Sequence, residues 1–354
     1  MLVSEFDFDL PSELIAQEPA PRGASRLLVL DRATGALQHA MIVDLPRYLT
    51  PGDLLIVNDT RVFAARLLGR REPSGGAVEC LLLERLPQGA AERTSAMFSA
   101  LMHPGQKLKP GARVRFEGPA GALTAEVLAR HFHGRRTIRL WSDAGTDVDE
   151  LIDALGHVPL PPYIKRPDTP ADRDRYQTIF ANVRGSVAAP TAGLHFTREL
   201  MDALRAAGTA IVRITLHVGY GTFKPVRTET VEEHVVDPER YHITEAAADA
   251  INRALENGQR IVAVGTTTTR ALEDAALRGG GVVASGSAAA SLFIYPGFRF
   301  QVVSALFTNF HLPRSSLLML VAAFAGRERV LAAYQAAVDH RYRFYSYGDA
   351  ILVV

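Results

Sequence analysis

The sequence predicts an α/β protein: a mixed or parallel sheet with flanking helices, interrupted by an inserted antiparallel β-barrel. Three observations carry this reading. From about Thr146 onward, apolar strand-like runs alternate with segments of helical period, the order that builds a sheet covered by helices. Between Arg61 and Glu150 the texture changes to short runs (VFAARLLGR, AVECLLLERL, AMFSALM, ARVRFEG, LTAEVLARH, RRTIRLW) separated by the turn signals PSGG, HPGQ, KPG, EGPAG and HFHG. Several short strands at near-regular spacing, with no long helical period between them, predict an antiparallel barrel. The first sixty residues carry strands of the former kind, so residues 1–60 and 151–354 are expected to form one discontinuous α/β domain around an all-β domain at 61–150.

The elements follow in order. Residues 11–18 read as a short helix, with Pro11 early, Ser12 as its cap and Glu13 in its first turn. RLLVLDRATG (Arg26–Gly35) is a strand running into a turn, and DLLIVNDTRV (Asp53–Val62) is a buried strand ending in polar residues. After the insertion, VDELIDALG is a short helix and PLPPYIKRPDTPADRDRYQ a Pro-rich charged connector. FTRELMDALRAAG is a helix capped by Thr197 and stopped at Gly208. AIVRITLHV is a strand, ITEAAADAINRALENG a helix ending at Gly258, and RIVAVGTTTTRALEDAAL a strand, tight loop and helix. The Gly-rich RGGGVVASGSAAA reads as a flexible loop and SLFIYPGFRF as a further strand. FTNFHLPRSS ends a strand and starts a helix at Pro313; SSLLMLVAAFAG is a largely buried helix and RERVLAAYQAAVDH an amphipathic one.

Composition narrows the class. A chain of 354 residues, 47% apolar and 22% charged, buries a sizeable core without staples. The single Cys80 excludes an internal disulfide and a Cys-based zinc site and fits a reducing cytosol. The acidic N-terminus lacks the basic region of a signal peptide, and the longest apolar run, Leu317–Ala325, is too short to cross a bilayer. A cytoplasmic protein without a membrane partner is expected. The net charge of +1 leaves any nucleic-acid contact to a local patch. Lysine occurs only at positions 107, 109, 165 and 224. The arginine bias suits phosphate contact and base stacking, but codon usage is the favoured cause of it. Histidines are scattered and HEXXH is absent, so no metal is expected.

Three small-residue, hydroxyl-rich loops stand out, each with one histidine: RGSVAAPTAGLHFT with Thr191 and His195, TLHVGYGTF with His217 and Tyr220, and FTNFHLPRSS with Asn309 and His311. Glycines and hydroxyls of this kind let a backbone approach a ligand closely, and the three are expected to share a pocket. GTTTTRALED delivers Thr267 and Arg270 to a helix start, where free amides favour a carboxylate or phosphate. It is neither a Walker loop nor a GxGxxG fingerprint. Asp59 and Arg61 lie where the β insertion begins, as site residues or as a hinge. Tyr345 and Asp349 belong to YRFYSYGDA, whose aromatics and arginines stack bases, face a cation or pack in the core.

Taken together, these strings resemble the S-adenosylmethionine:tRNA ribosyltransferase-isomerases of queuosine biosynthesis. The resemblance runs from FDFDLPSELIAQEPAPRGASRLLVLDR through GDLLIVNDTRVFAARL, RYQTIFANVRGSVAAPTAGLHFT, TLHVGYGTFKPV and VAVGTTTTRALE to ALFTNFHLPRSSLLMLVAAFAG and YRFYSYGDA. It implies an α/β domain with an inserted β-barrel. It also implies a reaction: the ribosyl part of S-adenosylmethionine is transferred and isomerised onto 7-aminomethyl-7-deazaguanine at the wobble position of tRNA. Epoxyqueuosine-tRNA forms, and adenine and methionine leave. S-adenosylmethionine is the co-substrate and no other cofactor is implied; a monomer is expected. The chain departs from the family pattern in HVVDPERYHI, where Val236 and Asp237 stand in place of Met and His, at Ser304, and in SAAAS before Leu292; changed local contacts are expected there.

The chemistry asks for a base at the acidified C5′ position, an acid for adenine and an uncharged attacking amine. His195, His217 and Glu239 are the expected catalytic groups, since His and Glu are tunable toward neutral pKa. The helix start from Thr266 to Thr269 is expected to hold the methionine carboxylate. Tyr220, Phe223 or the C-terminal tyrosines would face the sulfonium. Two rival readings are an S-adenosylmethionine-dependent RNA methyltransferase, whose acidic-glycine loop is absent, and a non-catalytic tRNA-binding relative.

Overall fold

A computed structural model describes residues 1–87, 92–223 and 225–354; Lys224 and the Phe223 side chain lie outside the described residues. A nine-stranded sheet forms the body. From one edge its strands are Gly286–Ala290, Glu239–Ile243, Ala210–Leu216, Leu54–Asn58, Ile261–Val264, Ala305–Asn309, Ala350–Val353, Arg26–Leu30 and Leu37–Met41. The four strands Ala210–Leu216 to Ala305–Asn309 run parallel, and both flanks contain antiparallel pairs. Side chains alternate between two covered faces, as period-two strands must. Leu54 and Ile56 pack with Ile251, Leu272 and Leu318 of the helices Glu245–Glu256, Thr266–Arg278 and Ser316–Ala325. Leu55 and Val57 pack on the other side with Leu200 and Leu204 of the helix Arg198–Ala206.

The inserted strands close into a six-stranded antiparallel barrel in the order Arg135–Trp141, Ser95–His103, Ala77–Leu86, Arg66–Glu72, Arg113–Gly118, Gly121–Arg130. Its interior is apolar, with Leu67, Cys80, Phe98, Val114, Leu123 and Ile138 buried together. Burial raises the Cys80 thiol to about 12, so it behaves as a core residue. The helix Val148–Leu155, capped by Asp147, adds Val148, Leu151 and Ile152 to the same core. The chain enters the barrel through a short strand, Thr60–Val62, which pairs in parallel with Val183–Ser186 on the way back.

The Thr197 cap starts its helix as expected, and two further caps appear in the structure. Thr197, Thr244 and Ser315 each accept the amide three residues on, and so start the helices that follow. Four expectations need correction. Residues 11–18 form only a 3-10 turn, Ser12–Leu14, because Leu14, Ala16 and Phe344 exchange backbone hydrogen bonds that pull the chain out of a helical path. The helix expected at Pro313 begins at Ser316, behind the Ser315 cap. Within the Gly-rich patch, Gly286–Ala290 is a strand, paired along its length with Glu239–Ile243. SLFIYPGFRF is not a strand; Phe293, Tyr295, Phe298 and Phe300 instead form an aromatic run packed onto the core.

Candidate active site

Open parallel sheets bind ligands beyond the carboxyl ends of their strands. Here those ends are His217, Gly265 and Asn309, with Asn58 tying two of them: its side chain donates to Leu216 O at 2.9 Å and accepts from Leu216 N and Thr60 N at 3.0 Å. Ser186 binds the first histidine-bearing loop to the second, accepting from Val218 N at 2.7 Å and donating to Ala188 O at 2.8 Å. The loops then enclose a small cavity of about 40 Å³. Thr191, Thr222, Gly265, Thr266, Thr267, Thr308, Asn309, His311, Tyr163, Tyr345 and Ser346 are among its lining residues.

The floor of this cavity is a helix start. Gly265 has φ +95, a left-handed conformation that turns the strand into the helix Thr266–Arg278. Thr268 and Thr269 return their hydroxyls to the carbonyls of Val264 and Gly265. The amides of Thr266, Thr267 and Thr268 have no acceptor among the described residues. Asn309, 2% exposed, lines the same cavity. Its Nδ2 donates to His195 Nε2 at 3.0 Å and to Tyr345 O at 3.1 Å, while its buried Oδ1 has no partner. An orphaned buried acceptor costs about 1–3 kcal/mol, so Oδ1 is poised for a donor that enters the cavity.

A larger cleft, about 370 Å³, lies between the sheet and the barrel. It is lined by His217, Tyr220, Asp237, Glu239 and Arg240 on one side and by Leu83, Glu84, Arg85, Ser99 and Arg135 of the barrel on the other. Val218 lines both spaces. The His217 ring packs on Gly185, where a Cβ would sit 2.6 Å from Cε1. Its Nδ1 meets Thr60 Oγ1 at 2.7 Å, and that hydroxyl also reaches Val183 O at 3.5 Å. In the tautomer with the proton on Nδ1, that nitrogen donates to Thr60 Oγ1 and Nε2 keeps its lone pair. Burial lowers the His217 pKa, partly offset by Asp59, so the ring is neutral at physiological pH.

The three histidine-bearing loops converge, but their imidazoles do not meet in one cavity. His311 lines the small cavity and bonds Thr308 Oγ1 at 3.1 Å through Nε2; burial lowers it to about 3. His195 lies behind Asn309 and is lowered by burial to about 4; its Nδ1 meets Ser25 Oγ at 3.0 Å. With both ring nitrogens bonded, His195 orients Asn309. Glu239 is saturated: Oε1 accepts from Gly219 N at 2.9 Å and Thr222 Oγ1 at 2.7 Å, and Oε2 accepts from Arg270 Nη1 at 2.8 Å. Arg270 is held further by Leu292 O and Ala290 O. The pair clamps the Gly219–Thr222 segment that lines both spaces.

Thr191, Thr267, Asn309, His311 and Tyr345 are thus brought together, and His217, Tyr220 and Glu239 form the neighbouring group. Asp59, Arg61 and Asp349 line neither space, although Asp59 is near enough to His217 to act on its charge. The Asp59 carboxylate takes the Thr215 hydroxyl at 2.6 Å and its carbonyl takes the amides of Asn182 and Val183, at the passage into the barrel. Arg61 is exposed. Asp349 is buried against Arg26, at 3.2 Å, and accepts the amides of Arg26 and Arg343. Sequence reasoning missed Tyr163 and Ser346, whose hydroxyls bond each other in the wall of the small cavity. A Tyr between Pro162 and Ile164, in a Pro-rich charged connector, was the signal in the sequence. The residues at the unusual positions are engaged: Asp237 faces Arg135 across the cleft at 3.6 Å, Val236 lines a pocket beside Arg270, and Ser304 Oγ accepts Ile261 N at 2.7 Å. Among the described residues no group of three or more His, Cys, Asp or Glu side chains is placed to hold a metal ion.

A sheet whose parallel strand ends open onto two adjoining spaces, the larger walled on one side by the barrel, has the layout of a ligand-binding α/β protein. Comparison with known proteins narrows the class. A family described as "Queuosine biosynthesis protein" matches residues 3–353. The S-adenosylmethionine:tRNA ribosyltransferase-isomerase of Citrifermentans bemidjiense is 51% identical over 354 residues, covering 100% of both chains. The protein of the same name from Caldanaerobacter subterraneus is 49% identical over 352 residues and 99% of each chain. The solved S-adenosylmethionine tRNA ribosyltransferase of Thermotoga maritima is 38% identical, with a TM-score of 0.54 over 99% of this chain and 100% of that one. The chain belongs to the queuosine biosynthesis protein family.

Proposed function

We propose that this protein is an S-adenosylmethionine:tRNA ribosyltransferase-isomerase. It moves and isomerises the ribosyl group of S-adenosylmethionine onto 7-aminomethyl-7-deazaguanine at the wobble position of tRNA, giving epoxyqueuosine-tRNA, adenine and methionine. The observation that carries the site reading is the pairing of free amides at Thr266–Thr268 with the orphaned Asn309 Oδ1 across a cavity of about 40 Å³. Amides at a helix start favour a carboxylate, and a carbonyl oxygen accepts from an ammonium. A methionyl zwitterion offers both. The ribosyl sulfonium then extends past Val218 into the larger cleft, where Tyr220 faces its positive charge.

In that cleft His217 Nε2 is the base that removes a proton from C5′ beside the sulfonium, its proton-bearing Nδ1 fixed by Thr60. His311, neutral at physiological pH, hydrogen-bonds substrate in the small cavity and does not supply charge. His195 positions Asn309, and Glu239 with Arg270 positions the Gly219–Thr222 segment. No other cofactor takes part. The division into residues 1–60 with 151–354 and 61–150 is the domain arrangement we infer, with the helix Val148–Leu155 lying across the boundary. The reading includes a cytoplasmic monomer; no helix among the described residues is long and apolar enough to cross a membrane.

Product analysis tests the reading. The purified protein, given S-adenosylmethionine and tRNA bearing the aminomethyl-deazaguanine, should release adenine and methionine in equal amounts as the tRNA gains mass. S-adenosylhomocysteine in their place identifies a methyltransferase, and tight tRNA binding with no adenine identifies a non-catalytic relative.

A further inference from the structure

One end of the barrel is built unlike the rest of the molecule. Two connectors meet there, His103–Arg113 and Arg130–Arg136, which carry Lys107, Lys109 and Arg130 beside Arg113, paired with Glu126, and Arg135, paired with Asp237. Buried Arg136 staples them, donating to Gly105 O at 2.7 Å and Leu108 O at 3.0 Å. At the opposite end the carboxylates Asp143, Asp147 and Asp149 are each paired with an arginine, Arg115, Arg93 and Arg85. At the basic end His133 and Gly134 take left-handed φ values of +55 and +79, making a tight turn closed by a hydrogen bond from His131 N to Arg135 O at 2.9 Å. The turn lifts Phe132 to 89% exposure, the highest of the large apolar side chains described. A cleft of about 440 Å³ starts from the same turn, with His103, His133 and Gly134 in its wall, and reaches Tyr220, which also lines the cleft holding His217.

An aromatic ring held out in water among cations has a clear chemical complement. Single-stranded RNA loops present unstacked bases that stack on aromatic side chains and phosphates that seek Lys and Arg. Duplex RNA, with its bases stacked inside, would leave Phe132 unused. We propose that this basic barrel tip is the landing surface for the anticodon loop, with Phe132 stacking on an unpaired loop base. The cleft from His133 to Tyr220 is then the path by which the extruded wobble base reaches His217. The proposal rests on the tRNA-directed reading above.

The test is fluorescence anisotropy with a labelled anticodon stem-loop RNA and the full-length protein. Phe132→Ala should weaken binding at least about fivefold, the loss of one base–aromatic stack, and Phe132→Trp should bind within twofold of wild type. The triple variant Lys107→Ala, Lys109→Ala, Arg130→Ala should flatten the dependence of log K on log salt by roughly 0.7 for each phosphate that is no longer neutralised. Unchanged affinity in Phe132→Ala together with an unchanged salt slope in the triple variant overturns the proposal. Wild-type protein that binds the stem-loop through Phe132 but releases no adenine leaves this surface standing and removes the assigned reaction instead.

Discussion

Replacing Glu239 by Gln separates a clamp from a catalytic base. The carboxylate accepts three hydrogen bonds, at 2.9 and 2.7 Å on Oε1 and 2.8 Å on Oε2. In Gln one oxygen becomes an NH2. In one orientation that group meets Arg270 Nη1; in the other it meets Gly219 N. Either way a donor faces a donor, and a buried guanidinium loses its counter-charge. The side chains of Arg270 and Glu239 are 8% and 3% exposed, so solvent cannot compensate. Breaking a buried pair costs about 3–5 kcal/mol; because Arg270 keeps the Ala290 and Leu292 carbonyls, about 3 kcal/mol is the expectation. Urea unfolding followed by tryptophan and tyrosine fluorescence measures it. The double variant Glu239→Gln, Arg270→Met should recover part of the loss, since removing both partners spares the unpaired charge. The reasoning fails if Glu239→Gln unfolds within about 1 kcal/mol of wild type while turnover loses its acid-side pH dependence, for then Glu239 carries protons and does not clamp.

Other outcomes follow from the same geometry. His217→Ala should lower adenine release by roughly 10²–10⁴-fold with little change in S-adenosylmethionine affinity, measured by single-turnover assay and calorimetry. Thr267→Val keeps the helix but removes a cavity hydroxyl, and should raise the S-adenosylmethionine KM about tenfold with kcat less affected, as loss of a substrate hydrogen bond does. Stability should also fall with acid. His195 and His311 are held at about 4 and about 3 in the fold, against 6.5 in the unfolded chain. The unfolded state therefore takes up protons first: stability is full above about pH 6.5 and drains as pH falls toward those values, by roughly a few kcal/mol for each group. Urea midpoints from pH 7 to 5 should drop, and His195→Gln should shallow the slope; a flat profile in wild type contradicts the burial assigned to both rings.

Local rules made much of this architecture legible. The strand Leu54–Asn58 reads directly from an uninterrupted apolar run, the helix after Thr197 from a hydroxyl followed by helical period, and the helix Glu245–Glu256 from good helix formers ending at Gly258. The barrel was visible because turn signals break its strands at short intervals. What failed did so through tertiary pairing. Gly286–Ala290 has poor strand formers and is a strand because Glu239–Ile243 offers it a ladder and Arg270 and Arg278 cap its carbonyls. SLFIYPGFRF has the composition of a strand, yet Pro296 and Gly297 turn it so that its aromatics pack on one another. At the site, loop chemistry singled out the backbone segments that line the two spaces, and Gly265 the helix start. It could not reveal that His195 would be sealed behind Asn309, that Glu239 would be saturated, or that Tyr163, 146 residues from Gln17 in sequence, would be anchored by its carbonyl to that side chain and face the cavity. Those are consequences of which loops touch, and spacing along the chain does not encode them.

The central assignment is that the methionyl end of the substrate sits on the Thr266–Thr268 amides while the sulfonium lies in the cleft beside His217. A crystal structure with S-adenosylmethionine, the sulfur located by anomalous scattering, tests it most directly. The carboxylate should lie on the helix start, the ammonium within hydrogen-bond distance of Asn309 Oδ1, and the sulfur on the His217 side of Val218. Sulfur density in the groove between His133 and Pro161, with the helix start still empty, would contradict the account.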